Sequence, residues 1–282
     1  MRLDATATPA AQPSQSPVSA RSASASIASF ATLPAPHRPE DRAARASETW
    51  AKALSTAYEP LTAQERLARA LDGDLPGPVA LVSSFGADSV VLLHLAAEID
   101  RSTPILFLET EMLFQETLDY QKRVADLLGL TDVRLIHPSS RELVAEDRDG
   151  ALHLADQDAC CDLRKRRPLE RALGGFGASI SGRKRHQSAT RADIALVETD
   201  GPHRLKLNPL ADWSAEDLAD YRKAAGLPPH PLVAEGFLSI GCAPCTTAVS
   251  QDEDPRAGRW RGAEKTECGI HFENGRIVRR AG

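Results

Sequence analysis

No apolar run in this sequence approaches the roughly 20 residues that a membrane-spanning helix needs, so no such span is expected. There is no excess of positive charge either. With 34 Lys and Arg against 39 Asp and Glu, the formal net charge is −5, whereas a general nucleic-acid binder would be globally basic. The N-terminus lacks the charged start and continuous apolar segment of a secretory signal. Cysteine is scarce, with five residues in the whole chain. That odd, clustered set suits metal or redox chemistry better than a secreted disulfide scaffold. The lysine of the G-x-x-x-x-G-K-[ST] phosphate loop is absent too. These absences point to the cytoplasm, with neither nucleic acid nor membrane as partner.

The cysteines present are grouped: Cys160 beside Cys161, Cys242 three residues before Cys245, and Cys268 alone. Residues Gly241 to His271 carry three of the five, with Arg256, Arg259, Arg261 and Lys265 between them and little apolar periodicity. So polar a loop cannot drive its own burial, and a metal centre, an anion or both must order it. Four thiolates from two chain regions can bind zinc tetrahedrally or hold a [4Fe–4S] cluster. Adjacent cysteines favour the cluster, because neighbouring side chains turn towards one small ion only with backbone strain. Four buried, unligated cysteines are the plainer alternative. Lys165 stands close enough in sequence to face either the centre or an anionic substrate. Cys268 has Lys265 and His271 within three residues, so positive charge favours its thiolate and makes it a nucleophile candidate. An inert surface thiol is the other reading.

Residues 1 to about 45, rich in Ala, Ser, Pro and Thr, read as a disordered leader. Ser47 to Leu71 reads as one or two entry helices packing on the α/β domain. Then strands and helices alternate: a strand within Pro78–Phe85, a helix from about Ser89 towards Asp100, a strand at Ile105–Leu108, a helix from Phe114 to Leu128 closed by Gly129, and a strand at Val133–Ile136. Asp162–Leu173 reads as helix and Ala178–Ser181 as strand. Ile194–Glu198 and Arg204–Leu207 resemble paired strands around Asp200-Gly201, and Ser214 with Asp217 caps a helix running through Lys223. This order predicts one α/β domain, a mostly parallel sheet with helices on both faces, whose ligands bind beyond the carboxyl ends of the strands. Ser83-Ser84-Phe85-Gly86-Ala87-Asp88-Ser89 is then an anion cradle at a helix start, or simply a tight turn. Leu108-Glu109-Thr110-Glu111 is a nucleotide contact or a loop with a helix cap.

Four motifs narrow the choice: CC-x-x-x-K at 160–165, S-G-x-[KR]-R-x-Q-S-x-T-R at 181–191, G-C-x-P-C-T at 241–246, and K-T-E-C-G-[IL]-H at 265–271. Their combination, spread from about Val79 to His271, resembles the assimilatory sulfonucleotide reductases, and within them the iron–sulfur branch acting on adenosine 5′-phosphosulfate (APS). That resemblance implies an adenine-nucleotide α-hydrolase-like (PP-loop-like) fold and a reaction yielding sulfite and AMP, with thioredoxin or glutaredoxin as reductant. It implies Cys160, Cys161, Cys242 and Cys245 as ligands of a [4Fe–4S] cluster and Cys268 as nucleophile. It also implies Lys165, Arg256, Arg259 and His271 around the phosphosulfate, and Gly182, Arg191, Ser84 and Leu108 against the nucleotide. Residues 46–255 would form the binding domain, and 256–282 a mobile segment carrying Cys268. The first loop reads SSFGADS, where many members carry an acidic residue before the Asp. The 3′-phosphorylated substrate (PAPS) is the alternative within the family, and an iron–sulfur tRNA-thiolation protein the alternative from another class. The oligomeric state, including a homo-oligomer, is left open.

Overall fold

The structure is a computed structural model that describes residues 48–201, 204–263, 265 and 267. The expected leader, Cys268 and His271 lie outside the described residues.

Two helices, α1 (Glu48–Tyr58) and α2 (Ala63–Arg69), precede the sheet. Thr62 and Glu65 cap α2 reciprocally, each side chain taking the other's backbone N–H. The sheet comprises β1 (Val79–Ser83), β2 (Ile105–Leu108), β3 (Val133–Ile136), β4 (Ala178–Ser181), β5 (Val197–Thr199) and β6 (Leu205–Leu207). Their spatial order is β3-β2-β1-β4-β6-β5, parallel except where β5 runs against β6. Because neighbouring residues of a strand face opposite sides, β1 and β2 feed two cores. Ala80, Leu106 and Leu108 pack with Leu169 and Leu173, while Leu81, Ile105 and Phe107, on the opposite face, are also fully buried. Burial on both faces explains why β2 is the unbroken apolar run Ile-Leu-Phe-Leu.

The crossover helices are α3 (Ser89–Ala97) between β1 and β2, and α4 (Gln115–Leu128) between β2 and β3. In α3, seven of nine residues are buried, as expected of a helix apolar on every side. After β3 come three short helices that periodicity did not reveal, α5 (Ser140–Glu146), α6 (Leu152–Ala155) and α7 (Gln157–Cys161). The Asp156 carboxylate caps α7 by accepting from the N–H groups of Asp158 and Ala159, both at 2.9 Å. After β6, α9 (Ala215–Ala224) begins at the expected Ser214–Asp217 capping box.

Two expected elements differ in detail. The helix predicted over Asp162–Leu173 is a wide π turn (Asp162–Arg166), then α8 (Arg167–Ala172) and a final 3₁₀ turn. Pro168 has no N–H with which to continue the helical ladder, so the register shifts there. The strand expected from Ile194 begins only at Val197. Side chains have taken the carbonyls before it: Arg185 Nε donates to Ile194 at 3.0 Å, and Asn208 Nδ2 to Ala195 at 2.9 Å.

The strand order turns back between β1 and β4. Chain direction therefore diverges there, and a crevice opens at the carboxyl ends of these two strands.

Candidate active site

A cleft of about 440 Å³ fills that crevice. Seven of the eight residues expected to touch substrate line it, Ser84, Leu108, Lys165, Gly182, Arg191, Arg256 and Arg259; the eighth, His271, lies outside the described residues. Cys242 borders the same cleft.

The floor is the loop after β1. Phe85 sits in the left-handed region at φ 47°, and its N–H donates to Ser83 Oγ at 3.1 Å. The conformation is held by burial of its ring, edge-on to Phe107 at 5.1 Å between centroids. A non-glycine residue so placed costs on the order of 1 kcal/mol or more, and such outliers gather where a site needs a fixed backbone. Glu111 (φ 60°) and Trp260 (φ 50°) are the other non-glycine cases among the described residues, and both adjoin cleft-lining residues. Across the crevice, Lys184 Nζ meets Asp88 Oδ2 at 3.0 Å. Burial pushes the Lys184 pKa down and the Asp88 charge opposes it. The pair ties the loop after β1 to the loop after β4.

One wall carries the thiols. Cys160 and Cys161 end α7, and Cys242 and Cys245 bracket a 3₁₀ turn (Ala243–Cys245). None of the four is in a disulfide. The loop after β2 docks this turn, with Ala243 N–H on the Met112 carbonyl at 2.8 Å and Leu113 bridged to Cys242. Thr110 Oγ1 lies 3.2 Å from Cys242 Sγ, so the Leu-Glu-Thr-Glu stretch reaches the thiols as well as the cleft. Burial pushes the Cys160 thiol up to about 12, with Cys161 adding to the rise, Arg164 opposing it, and Cys242 and Cys245 close enough to contribute. Cys245 is raised by burial and by Cys242, against Lys165, Arg259 and Lys265. Four thiols therefore converge beside a group of cations, and burial disfavours the thiolate at Cys160 and Cys245. Among the described residues, no three His, Cys, Asp or Glu side chains are gathered as tightly as a single metal ion requires. Thiol donors of this kind suit zinc or an iron–sulfur cluster alike.

The other wall carries the arginines. Residues 256–261 fold back on the Cys242–Cys245 turn: Thr247 N–H donates to the Gly258 carbonyl at 2.8 Å, and Trp260 N–H to the Cys245 carbonyl at 3.0 Å. The Arg259 guanidinium stands over the ring of Trp260, 4.4 Å from its centroid, and close to Gly241. A Cβ built on Gly241 would come within 2.3 Å of an Arg259 nitrogen, so a side chain here would push the guanidinium aside. Arg259 Nε is buried without a hydrogen-bond partner among the described residues. Arg191 and Arg256 meet at the carboxylate of Glu267, beside Cys268 in sequence. Lys265 pairs with Asp158 on α7.

Sequence reasoning had not assigned Thr110, Asp88, Lys184 or Glu267 these places. Each stood inside a motif already noted, but a motif does not say which of its members turn inward.

A model of the phosphoadenosine phosphosulfate reductase domain matches residues 78–248. The adenosine 5′-phosphosulfate reductase of Chelativorans sp. is 50% identical over 196 residues, covering 70% of this chain and 80% of that protein. The protein of the same name from Mesorhizobium japonicum is 50% identical over 220 residues, covering 78% and 85%. Among solved structures, the phosphoadenylyl-sulfate reductase of Candida auris in its phosphate complex superposes with a TM-score of 0.60 at 23% identity, over 73% of this chain and 98% of that one. That superposition supports the fold, and the matched domain with the half-identical relatives supports the family. The chain belongs to the phosphoadenosine phosphosulfate reductase domain family.

Proposed function

We propose that this protein reduces APS to sulfite and AMP in sulfate assimilation, using a thiol reductant such as thioredoxin or glutaredoxin. One observation carries the reading: Lys165, Arg191, Arg256 and Arg259 converge on the crevice between β1 and β4, beside four gathered thiols. The substrate joins a sulfate to a phosphate, and its charge calls for guanidinium forks and an ammonium. The names of the half-identical relatives agree with APS.

In this reading the Ser83–Ser89 loop and Gly182 take the adenylate end, Leu108 borders the nucleotide, and Lys165, Arg256 and Arg259 face the phosphosulfate. Arg191 and His271 complete the set. The Cys268 thiolate attacks the sulfur, an S–S bond forms, the S–O bond to the phosphate breaks, and AMP leaves with the electron pair. The cations offset repulsion between thiolate and anion and stabilise charge growing on the leaving phosphate. A thiolate of the reductant then attacks Cys268 Sγ, releasing sulfite and forming a mixed disulfide. A second reductant thiol resolves it, so the two electrons come from that dithiol. Cys160, Cys161, Cys242 and Cys245 would hold a [4Fe–4S] cluster, which when bound adds rigidity and a local charge beside Lys165. We place the reaction in the cytoplasm, where few, clustered cysteines stay reduced. Among the described residues no helix is long and apolar enough to cross a membrane.

The test is sulfite release from APS and from PAPS, side by side, by anaerobically purified protein with thioredoxin. APS should be the better substrate and the Cys268→Ser variant inactive. Sulfite from PAPS alone, or undiminished activity of the variant, would overturn the reading.

A further inference from the structure

Two of the cleft's cations already hold an anion. Arg191 donates to Glu267 through both arms of its fork, Nε to Oε1 at 2.6 Å and Nη2 to Oε2 at 2.7 Å. Arg256 Nη2 stands 3.7 Å from Oε2. Ser188 and Thr190 add hydroxyl donors to Oε1 at 3.2 and 3.3 Å. Burial pushes this carboxyl's pKa up, but Arg191 and then Arg256 outweigh it and hold the group below the usual range. It is therefore ionised at neutral pH. Two planar oxygens on a guanidinium fork present the same face as two oxygens of a phosphate or sulfate.

We propose that Glu267 is an internal occupant of the oxyanion subsite formed by Arg191 and Arg256, that the substrate's oxyanion displaces it, and that this carboxylate thereby sets substrate affinity. The identity of that substrate rests on the function proposed above; the occupied subsite does not. Two arginines cannot give their best bidentate contacts to a carboxylate and a phosphosulfate at once, so bound substrate competes with the chain's own anion. Two residues earlier, Lys265 reaches Asp158 and the Gln157 carbonyl. That anchor is separate from the subsite, so Glu267 can leave while Lys265 stays.

The test is calorimetric binding of APS and of adenosine to Cys268→Ser protein, which cannot take the sulfonate, and to the same protein carrying Glu267→Gln. The amide keeps the shape and removes the charge. APS should bind about tenfold tighter after the change, while adenosine, which has no oxyanion, binds as before. Glu267→Asp, with charge kept, should not tighten APS. Unchanged or weaker APS binding, equal tightening of both ligands, or no binding of APS to either protein would overturn the proposal. Sulfite release by protein with Cys268 intact is scored separately. Tightening without any sulfite formation would leave the occupant standing and reject the proposed reaction; sulfite without tightening would do the reverse.

Discussion

Thr110 reaches both halves of the thiol wall: its hydroxyl oxygen lies 3.2 Å from Cys242 Sγ, and its carbonyl accepts at 2.9 Å from Nη1 of Arg164, in the turn that follows Cys160 and Cys161. Arg164 is itself fixed by Asp147 at 2.7 Å, both side chains being buried. The Thr110 hydroxyl is therefore the side-chain tie of this loop to the thiol wall, beside the backbone contacts of Met112 and Leu113. We predict that Thr110→Val, which keeps the shape and drops the hydrogen bond, costs about 1 kcal/mol of stability, read as the midpoint of urea unfolding. If the thiols hold a cluster, its visible absorption should also bleach faster in air. Unchanged stability and an unchanged bleaching rate would mean the contact carries no weight.

Gly241 and Gly258 lie close together in the site but should fail differently. A Cβ on Gly241 meets the guanidinium of Arg259, the far end of a flexible side chain, whereas one on Gly258 would sit 2.1 Å from the Thr247 carbonyl oxygen. Gly241→Ala should leave the fold nearly as stable and push Arg259 aside, lowering kcat/KM for APS by about 10- to 100-fold, or roughly 1.4–2.7 kcal/mol. Gly258→Ala should instead lower stability by on the order of 2–3 kcal/mol. Thermal melts beside steady-state kinetics separate the two, and equal melting points would count against this assignment.

The Asp88–Lys184 pair predicts an asymmetry. Lys184 is 2% exposed and Asp88 38%. Asp88→Asn strands a buried ammonium, and losing the partner of a buried charge costs about 3–5 kcal/mol, the lower end fitting a pair that borders solvent. Lys184→Met strands a carboxylate that water can reach, and should cost less. Urea unfolding of the two variants measures the order; the reverse order would show that Asp88 is not what keeps Lys184 charged.

His230 predicts how stability changes with acidity. It is 1% exposed, accepts from Leu232 N–H through Nδ1 at 3.2 Å and faces Thr117 Oγ1 through Nε2 at 3.0 Å. Burial pushes its pKa down from 6.5 to about 4. As the pH falls from 6.5 towards 4, the unfolded chain gains a proton here that the folded chain refuses. Stability is therefore greatest above 6.5 and is lost through that window, by on the order of 3 kcal/mol at its acid end. His230→Asn, which cannot titrate, should flatten the pH dependence of unfolding between 6.5 and 4.5. A slope identical to that of the unaltered protein would contradict this.

The fold was legible where local chemistry speaks loudly. The runs Ile105–Leu108, Val133–Ile136 and Ala178–Ser181 are strands from end to end, because short apolar and β-branched runs bounded by turn residues favour extended backbone wherever they lie. Thus β2 and β4 are buried throughout, whereas β3, at the sheet edge, buries no residue fully. The Ser214–Asp217 box gave the start of α9 for a similar reason, since both partners stand within one turn. The insertion of β6 between β4 and β5 was not legible, because neighbourhood in a sheet is decided by contacts far apart in sequence. The three short helices after β3 were hidden as well; α5 and α6 bury no residue fully, so they leave no apolar period. At the site, the motifs contained the cleft-lining Lys165, Gly182 and Arg191, and the family resemblance added Arg256 and Arg259. They did not reveal that Glu267 would sit on two of those arginines, since charge pairing across some 76 residues leaves no spacing to read.

The proposed chemistry turns on one sulfur atom, that of Cys268. The decisive measurement is peptide-resolved mass spectrometry of the protein after mixing with APS and no reductant. The account predicts the added mass of one sulfonate on the peptide containing Cys268, removed by thioredoxin with release of sulfite. A sulfonate on Cys160, Cys161, Cys242 or Cys245, or on no cysteine while sulfite still forms, would contradict it.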